Sequence, residues 1–167
     1  MSIETTVTPR KVATEIFDAL RGHDLDALVA LDHPDVVDDF VAVGVFRGVV
    51  QVRDFFTELL NAVPDFAIEV VEMVSDEERA AVQWRATGTF TGSPFQGIHA
   101  TGRRIELRGC DVMQFEQGKL KHNTIYYDGL GFARQIGMLP REGSRADKAM
   151  AAAFNTRTDV VARLRRR

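Results

Sequence analysis

The amino-acid order predicts an α+β fold, a curved antiparallel sheet wrapped as a cone around N-terminal helices. Three observations carry this. Apolar residues recur at helical spacing up to position 63, they alternate from 66 to 128, and the two regimes do not interleave. Helices followed by a run of strands mark α+β, whereas regular interleaving would mark a parallel α/β sheet. With 167 residues, 45% of them apolar, the chain can bury one core without staples.

The first helix starts at Thr8-Pro9, a hydroxyl N-cap followed by proline in the first turn; Val12, Ile16, Phe17 and Leu20 share a face, and Gly22 ends it. Asp24 caps a short second helix through Leu25, Leu28, Val29 and Leu31. The segment 33–44 breaks at Pro34 and reads as a loop or short strand. A third helix is expected from about Val50 to Val63, with Phe55, Phe56, Leu59 and Leu60 inward and Pro64 as terminator. Strands follow at 66–75, 80–92, 104–116 and 119–128, rich in β-branched and aromatic residues. The motifs "DEER" and "EQGK" are tight turns and "SPFQGIHATG" a longer connection. A helical piece spans 129–137, and 144–164 reads as one amphipathic helix or two, with Ala146, Met150, Phe154, Val161 and Leu164 as its stripe.

The formal charge of −3 gives no reason to expect nucleic acid or an anionic membrane as partner. Residues 141–167 hold eight basic side chains against three acidic ones, a net +5, which leaves 1–140 at −8. A basic tail lying on an acidic body, its own or a twin subunit's, is the simplest consequence. The division is a domain over 1–140 and a basic helical extension over 141–167. Cys110 stands alone and forms no internal disulfide. With no apolar leader core and no membrane-length apolar run, a cytoplasmic, soluble protein is expected. The four histidines are scattered and no Gly-rich phosphate loop is present, so neither metal nor organic cofactor is expected.

The strand 104–116 contains the feature that bears on function. Counting by twos, Ile105, Leu107, Gly109, Asp111, Met113 and Phe115 share one face, an apolar row interrupted by one carboxylate. A buried structural acid would be hydrogen-bonded to Asn123, a tyrosine hydroxyl or a backbone amide. A general base would look similar from sequence, because burial destabilises the charged form and moves the pKa toward neutrality, where enolisation needs it. The "EQGK" hairpin decides what Asp111 meets. A two-residue turn pairs Glu116 with Lys119 and places Asp111 opposite Thr124; a three-residue turn pairs Phe115 with Lys119 and places it opposite Asn123, with Ile125 and Tyr127 on the same face.

The stretch "TGRRIELRGCDVMQFEQGKLKHNTIYYDGLGFARQIG" resembles the C-terminal half of the SnoaL-like polyketide cyclases, in the NTF2-like superfamily, and "HPDVVDDF", "AVPDF" and "AVQWRATGTFTG" fit its earlier segments. The resemblance covers about residues 10–140. It implies an NTF2-like (cystatin-like) α+β barrel, usually dimeric. It also implies intramolecular aldol ring closure without metal or cofactor, by a pocket acid or base moving a proton off a carbon next to a carbonyl. Relatives in the superfamily are isomerases, epoxide hydrolases, dehydratases or simple binding modules. On this resemblance the family's catalytic carboxylate falls at Ile125, while Asp111 matches a pocket His or Asp, which favours the three-residue register. Phe90 stands where the pattern often has His. Asp38 and Asp39 lie where relatives place a pocket Asn or Asp, although adjacent acids are usually solvated.

Asp111 is therefore the expected acid/base, with Tyr127 and Asn123 as donors to an enolate oxygen. Phe55, Trp84, His99, Met113 and Ile125 are the expected lining of a pocket for a small hydrophobic or aromatic ligand. Two functions follow: a cofactor-independent cyclase, isomerase or lyase, and a ligand-binding or dimerisation module without chemistry.

Overall fold

A computed structural model describes residues 8–165; residues 1–7 and the last two arginines of the basic tail lie outside the described residues. Three helices come first: α1 (Pro9–Arg21), α2 (Leu25–Ala30) and α3 (Gly48–Ala62), with strands β1 (Asp32–Phe40) and β2 (Gly44–Arg47) between the second and third. Then follow β3 (Ala67–Ser75), β4 (Arg79–Thr89), β5 (Arg104–Glu116), β6 (Lys119–Tyr127), α4 (Gly129–Gln135) and α5 (Arg145–Leu164).

Local chemistry places the helix starts where the sequence does. Thr8 accepts from Lys11 N with Pro9 in the first turn, Asp24 accepts from Ala27 N, and Asp128 and Ser144 cap α4 and α5 in the same way. Each cap satisfies an amide that the helix itself leaves unpaired. The buried face of α1, including Val12, Ile16, Phe17 and Leu20, packs on β3, β4 and β5, while α3 packs on β1 and β2 and α4 on β5.

The sheet has six strands in the order β2-β1-β6-β5-β4-β3, open and curved about the helices. It is mixed rather than wholly antiparallel, because β1 runs parallel to β6. The segment 33–44, expected as a loop or short strand, belongs to a nine-residue strand followed by a short partner, β2, that sequence did not suggest. The free edge of β6 supplies the ladder, and Pro34 falls where that ladder shifts, between Asp32 and Val37. A bulge is where a strand tolerates a proline, which has no N–H to donate.

The β5–β6 hairpin takes neither expected register. Its turn has two residues, Gln117 and Gly118, both at positive φ (52° and 74°), as a type I′ turn requires. Glu116 pairs with Lys119, but the register shifts at once: Phe115 pairs with Leu120 and Gln114 with His122, leaving Lys121 as a bulge. The bulge turns Asn123, Ile125 and Tyr127 to the inner side, the face expected of the three-residue turn. The pairing is offset by two from that expectation, so Asp111 stands opposite Ile125 and Met113 opposite Asn123.

The described part of the tail holds one helix, and none of its residues is buried. Arg134 reaches Glu142 and Asp147 at 3.5 and 3.7 Å and ties down only its start. Within one chain, then, the basic tail does not lie on its own acidic body; Met150 and Phe154, from the expected stripe, remain 44% and 66% exposed. Among the described residues no helix is long and apolar enough to cross a membrane.

Candidate active site

Between the concave face of the sheet and the helices lies a cavity of about 100 Å³. An apolar cavity of comparable order, about 150 Å³, holds a benzene ring. Eight phenylalanines line it, from α1, α3, β1, α4 and the connections after α3 and β4. Phe55 is the hub of this wall, with ring centroids 4.2 Å from Phe40, 4.6 Å from Phe46 and 5.8 Å from Phe95. Tilted and edge-on contacts of this kind favour a flat ring as guest. Only Asp111, Tyr127 and the indole of Trp84 bring polar groups to the lining.

Asp111 is held from two sides. Trp84 Nε1 donates to its Oδ1 at 2.7 Å, and Asn123 Nδ2 donates to its Oδ2 at 2.9 Å. Burial raises the carboxyl pKa to about 6, and the two donors moderate the rise by favouring the charged form. The result is a carboxyl group that is ionised at neutral pH yet close enough to neutrality to take and return a proton.

Gly109 makes the Trp84 contact possible. Gly109 and Trp84 are partners across β4 and β5, and a Cβ at Gly109 would lie 2.2 Å from Trp84 Cζ2. The missing side chain lets the indole lie flat over β5 and reach the carboxylate two residues further on.

Of the expected site residues, Asp111, Tyr127, Phe55, Trp84 and Ile125 line the cavity. Tyr127 is half-buried, and burial pushes its hydroxyl pKa up, which keeps it a donor. Three expectations need correction. His99 is exposed on its loop, away from the lining, because the residue this connection turns inward is Phe95. Met113 is completely buried on the inner face but belongs to the packed core, not the cavity wall. Asn123 is also outside the lining; its amide faces Asp111 and supports the carboxylate, which leaves the Tyr127 hydroxyl as the other polar group of the pair on the cavity wall.

Sequence reasoning gave Trp84 only a wall role and expected the Asp38-Asp39 pair to be solvated. Asp38 is 3% exposed, and so is Asp32. Burial lifts Asp32 to about 7, partly offset by Lys119, and lifts Asp38 well above the carboxylate range, with the charges of Asp32 and Asp111 adding to the rise. The signal for Asp38 was its even spacing from Val36 and Phe40, readable only once 32–40 is known to be a strand.

Fold and site together define a protein of one class: a curved sheet closed by helices over an apolar chamber, with a single carboxylate in its wall. The chain belongs to the SnoaL-like polyketide cyclase family, whose sequence pattern matches residues 10–136 and leaves α5 outside. No curated protein matches it. Among solved structures it is similar to a protein of Jannaschia sp. CCS1 provisionally assigned as a SnoaL-like polyketide cyclase, with 18% identity and TM-score 0.72 over 84% of this chain and 100% of that one. AclR of Streptomyces galilaeus, provisionally assigned as a hydroxylase, has 23% identity and TM-score 0.69 over 79% and 97%. A Catenulispora acidiphila protein with a ketosteroid isomerase-like fold, solved with trimethylamine, has 15% identity and TM-score 0.65 over 78% and 94%. These likenesses show the fold.

Proposed function

We propose that this chain is a cytoplasmic, cofactor-independent enzyme that removes a proton from a carbon next to a carbonyl on a small, flat, hydrophobic substrate. The observation that carries the reading is Asp111, one carboxylate with a raised pKa in a cavity wall that is otherwise almost wholly apolar. The substrate ring packs among the phenylalanines, and its carbonyl oxygen faces the Tyr127 hydroxyl. The Asp111 carboxylate takes the proton; the C–H pair moves into the enolate, whose oxygen accepts a hydrogen bond from Tyr127. The neutral Asp111 then returns the same proton, to another carbon of the conjugated enolate in an isomerisation, or to the new alkoxide after carbon–carbon bond formation in a ring closure. One acid/base group serves both directions, so Ile125 at the family's usual carboxylate position does not stop the cycle.

That same Ile125 favours a second reading, a binding module of the fold that holds its ligand without chemistry. Deuterium exchange separates the two. A panel of cyclic and aromatic ketones in D2O, followed by proton NMR, is expected to lose its α-proton signals with the native protein and to keep them with Asp111→Asn. Tight binding of a panel member without exchange in either protein supports the module.

A further inference from the structure

Four polar side chains are fully buried among the described residues: Asp32, Asp38, Asp111 and Asn123. Asp38 and Asn123 are direct partners across the parallel β1–β6 pair, and both side chains lie on the inner face. Asn123 Nδ2 is turned to Asp111, which leaves Oδ1 on the other side of the amide. That oxygen is buried with no donor, and so is Asp38 Oδ1. An unpaired buried polar atom is costly, and two acceptors cannot relieve each other unless one of them carries a proton. An amide oxygen does not take a proton near neutral pH. A carboxyl group does.

We propose that Asp38 is a positioning residue for Asp111: as the neutral acid it donates its O–H to Asn123 Oδ1 and so holds the Asn123 amide with its N–H toward the pocket carboxylate. Hydrogen bonds then run one way, from the Asp38 hydroxyl to the Asn123 carbonyl and from the Asn123 N–H to Asp111. The surroundings agree. The charged groups that act on Asp38 are Asp32 on its own strand and Asp111 on β5, and both acids oppose a charge there. The Lys119 ammonium is directed at the carbonyl oxygens of Ala30 and Asp32, at 2.7 and 3.4 Å, and makes no hydrogen bond to Asp38. A neutral Asp38 also keeps a second negative charge away from Asp111.

The inference rests on Asp111 being the pocket base, but its test reads the titration of Asp111 and so does not require turnover. Full-length protein carrying carboxyl-labelled aspartate is titrated by carbon NMR from pH 4 to 9, as wild type, Asp38→Asn and Asp38→Leu. In the wild type the Asp38 carboxyl signal is expected to stay at its protonated position through the pH range in which Asp111 ionises. Asp38→Asn keeps an N–H donor for Asn123 Oδ1 and is expected to leave the Asp111 midpoint within about 0.3 of a pH unit, whereas Asp38→Leu frees the amide and raises it by about one unit. Three outcomes each overturn the proposal: Asp38 ionising at or below the Asp111 midpoint, Asp38→Asn lowering that midpoint by a full unit through loss of a like charge, or Asp38→Leu leaving it unmoved. Should the leucine variant not fold, the wild-type and asparagine titrations decide alone. Where ketone exchange is measurable, Asp38→Leu is expected to shift its pH profile up with Asp111 while KM holds. Intact titration behaviour with no exchange in any variant removes the enzymatic reading and leaves the positioning role in place.

Discussion

Trp84 and Asp111 stand 27 residues apart in the chain and 2.7 Å apart in space, indole N–H to carboxylate. That contact holds the ionised form of the one acid in the pocket wall. Trp84→Phe keeps most of the ring and removes the N–H. Because the charged form loses a donor, the Asp111 midpoint is expected to rise from about 6 toward 7. Carbon NMR titration of the labelled carboxyl reads this directly; a midpoint that stays put denies the indole any electrostatic role.

Gly109→Ala should act on the same contact from behind. The added methyl meets the indole at 2.2 Å, and both backbones belong to the central β4–β5 ladder, so the ring must move. Overpacking of this kind costs about 1–3 kcal/mol. A lowered urea midpoint with a shifted tryptophan emission maximum is expected, and unchanged emission would show that the ring did not move.

Removing the base should remove the chemistry. General acid–base groups contribute about 10²–10⁴-fold, so Asp111→Asn is expected to slow α-proton exchange by at least about a hundredfold with ligand affinity retained. Ala86 lines the cavity without taking part in the proton path. Ala86→Leu should fill the space and abolish binding of a ring-sized ligand in calorimetry, while Asp111 still titrates.

The buried acids set a pH dependence of stability. Asp32 and Asp111 have folded-state values near 7 and near 6, above the ordinary carboxylate value of 3.8. A raised value means that the folded state keeps its proton after the unfolded chain has lost it. The stabilisation is whole below about pH 4 and disappears as pH rises through 6 and 7. Wild-type protein should therefore unfold at lower urea at pH 8 than at pH 5, and Asp32→Asn should recover on the order of 2–4 kcal/mol of that difference. Equal midpoints at the two pH values for the wild type would contradict the buried placement of these groups.

The basic tail carries a prediction of its own. We propose that α5, which has no buried residue and leaves Phe154 66% accessible, packs on the acidic surface of a second copy. Truncation before residue 141 should then shift sedimentation at micromolar concentration from dimer toward monomer. An unaltered profile discards the idea.

Much of the architecture was legible because its causes are local. Thr8-Pro9 and Asp24 announce helix starts through hydrogen bonds that span three residues, and the alternation along β5 announces which side chains are inward. The register of β5 on β6 was less legible, since both turn lengths suit "EQGK" and the bulge at Lys121 answers to packing on either side of the hairpin. His99 and Met113 show the same limit from the other side. Residue type makes each a fair pocket candidate, yet one lies on an outer loop and the other in the packed core.

From the sequence alone came the α+β class, the inward carboxylate at Asp111 and the family, because periodicity and short motifs are properties of contiguous residues. Tertiary structure alone decided that 32–40 is a strand, that Trp84 and Asn123 both serve Asp111, and that Asp38 is buried beside them. Those relations join β1, β4, β5 and β6 across a sheet whose neighbours are distant in sequence. Hydrogen-bond partners and loss of water depend on where the backbone is brought together, and no local pattern encodes that.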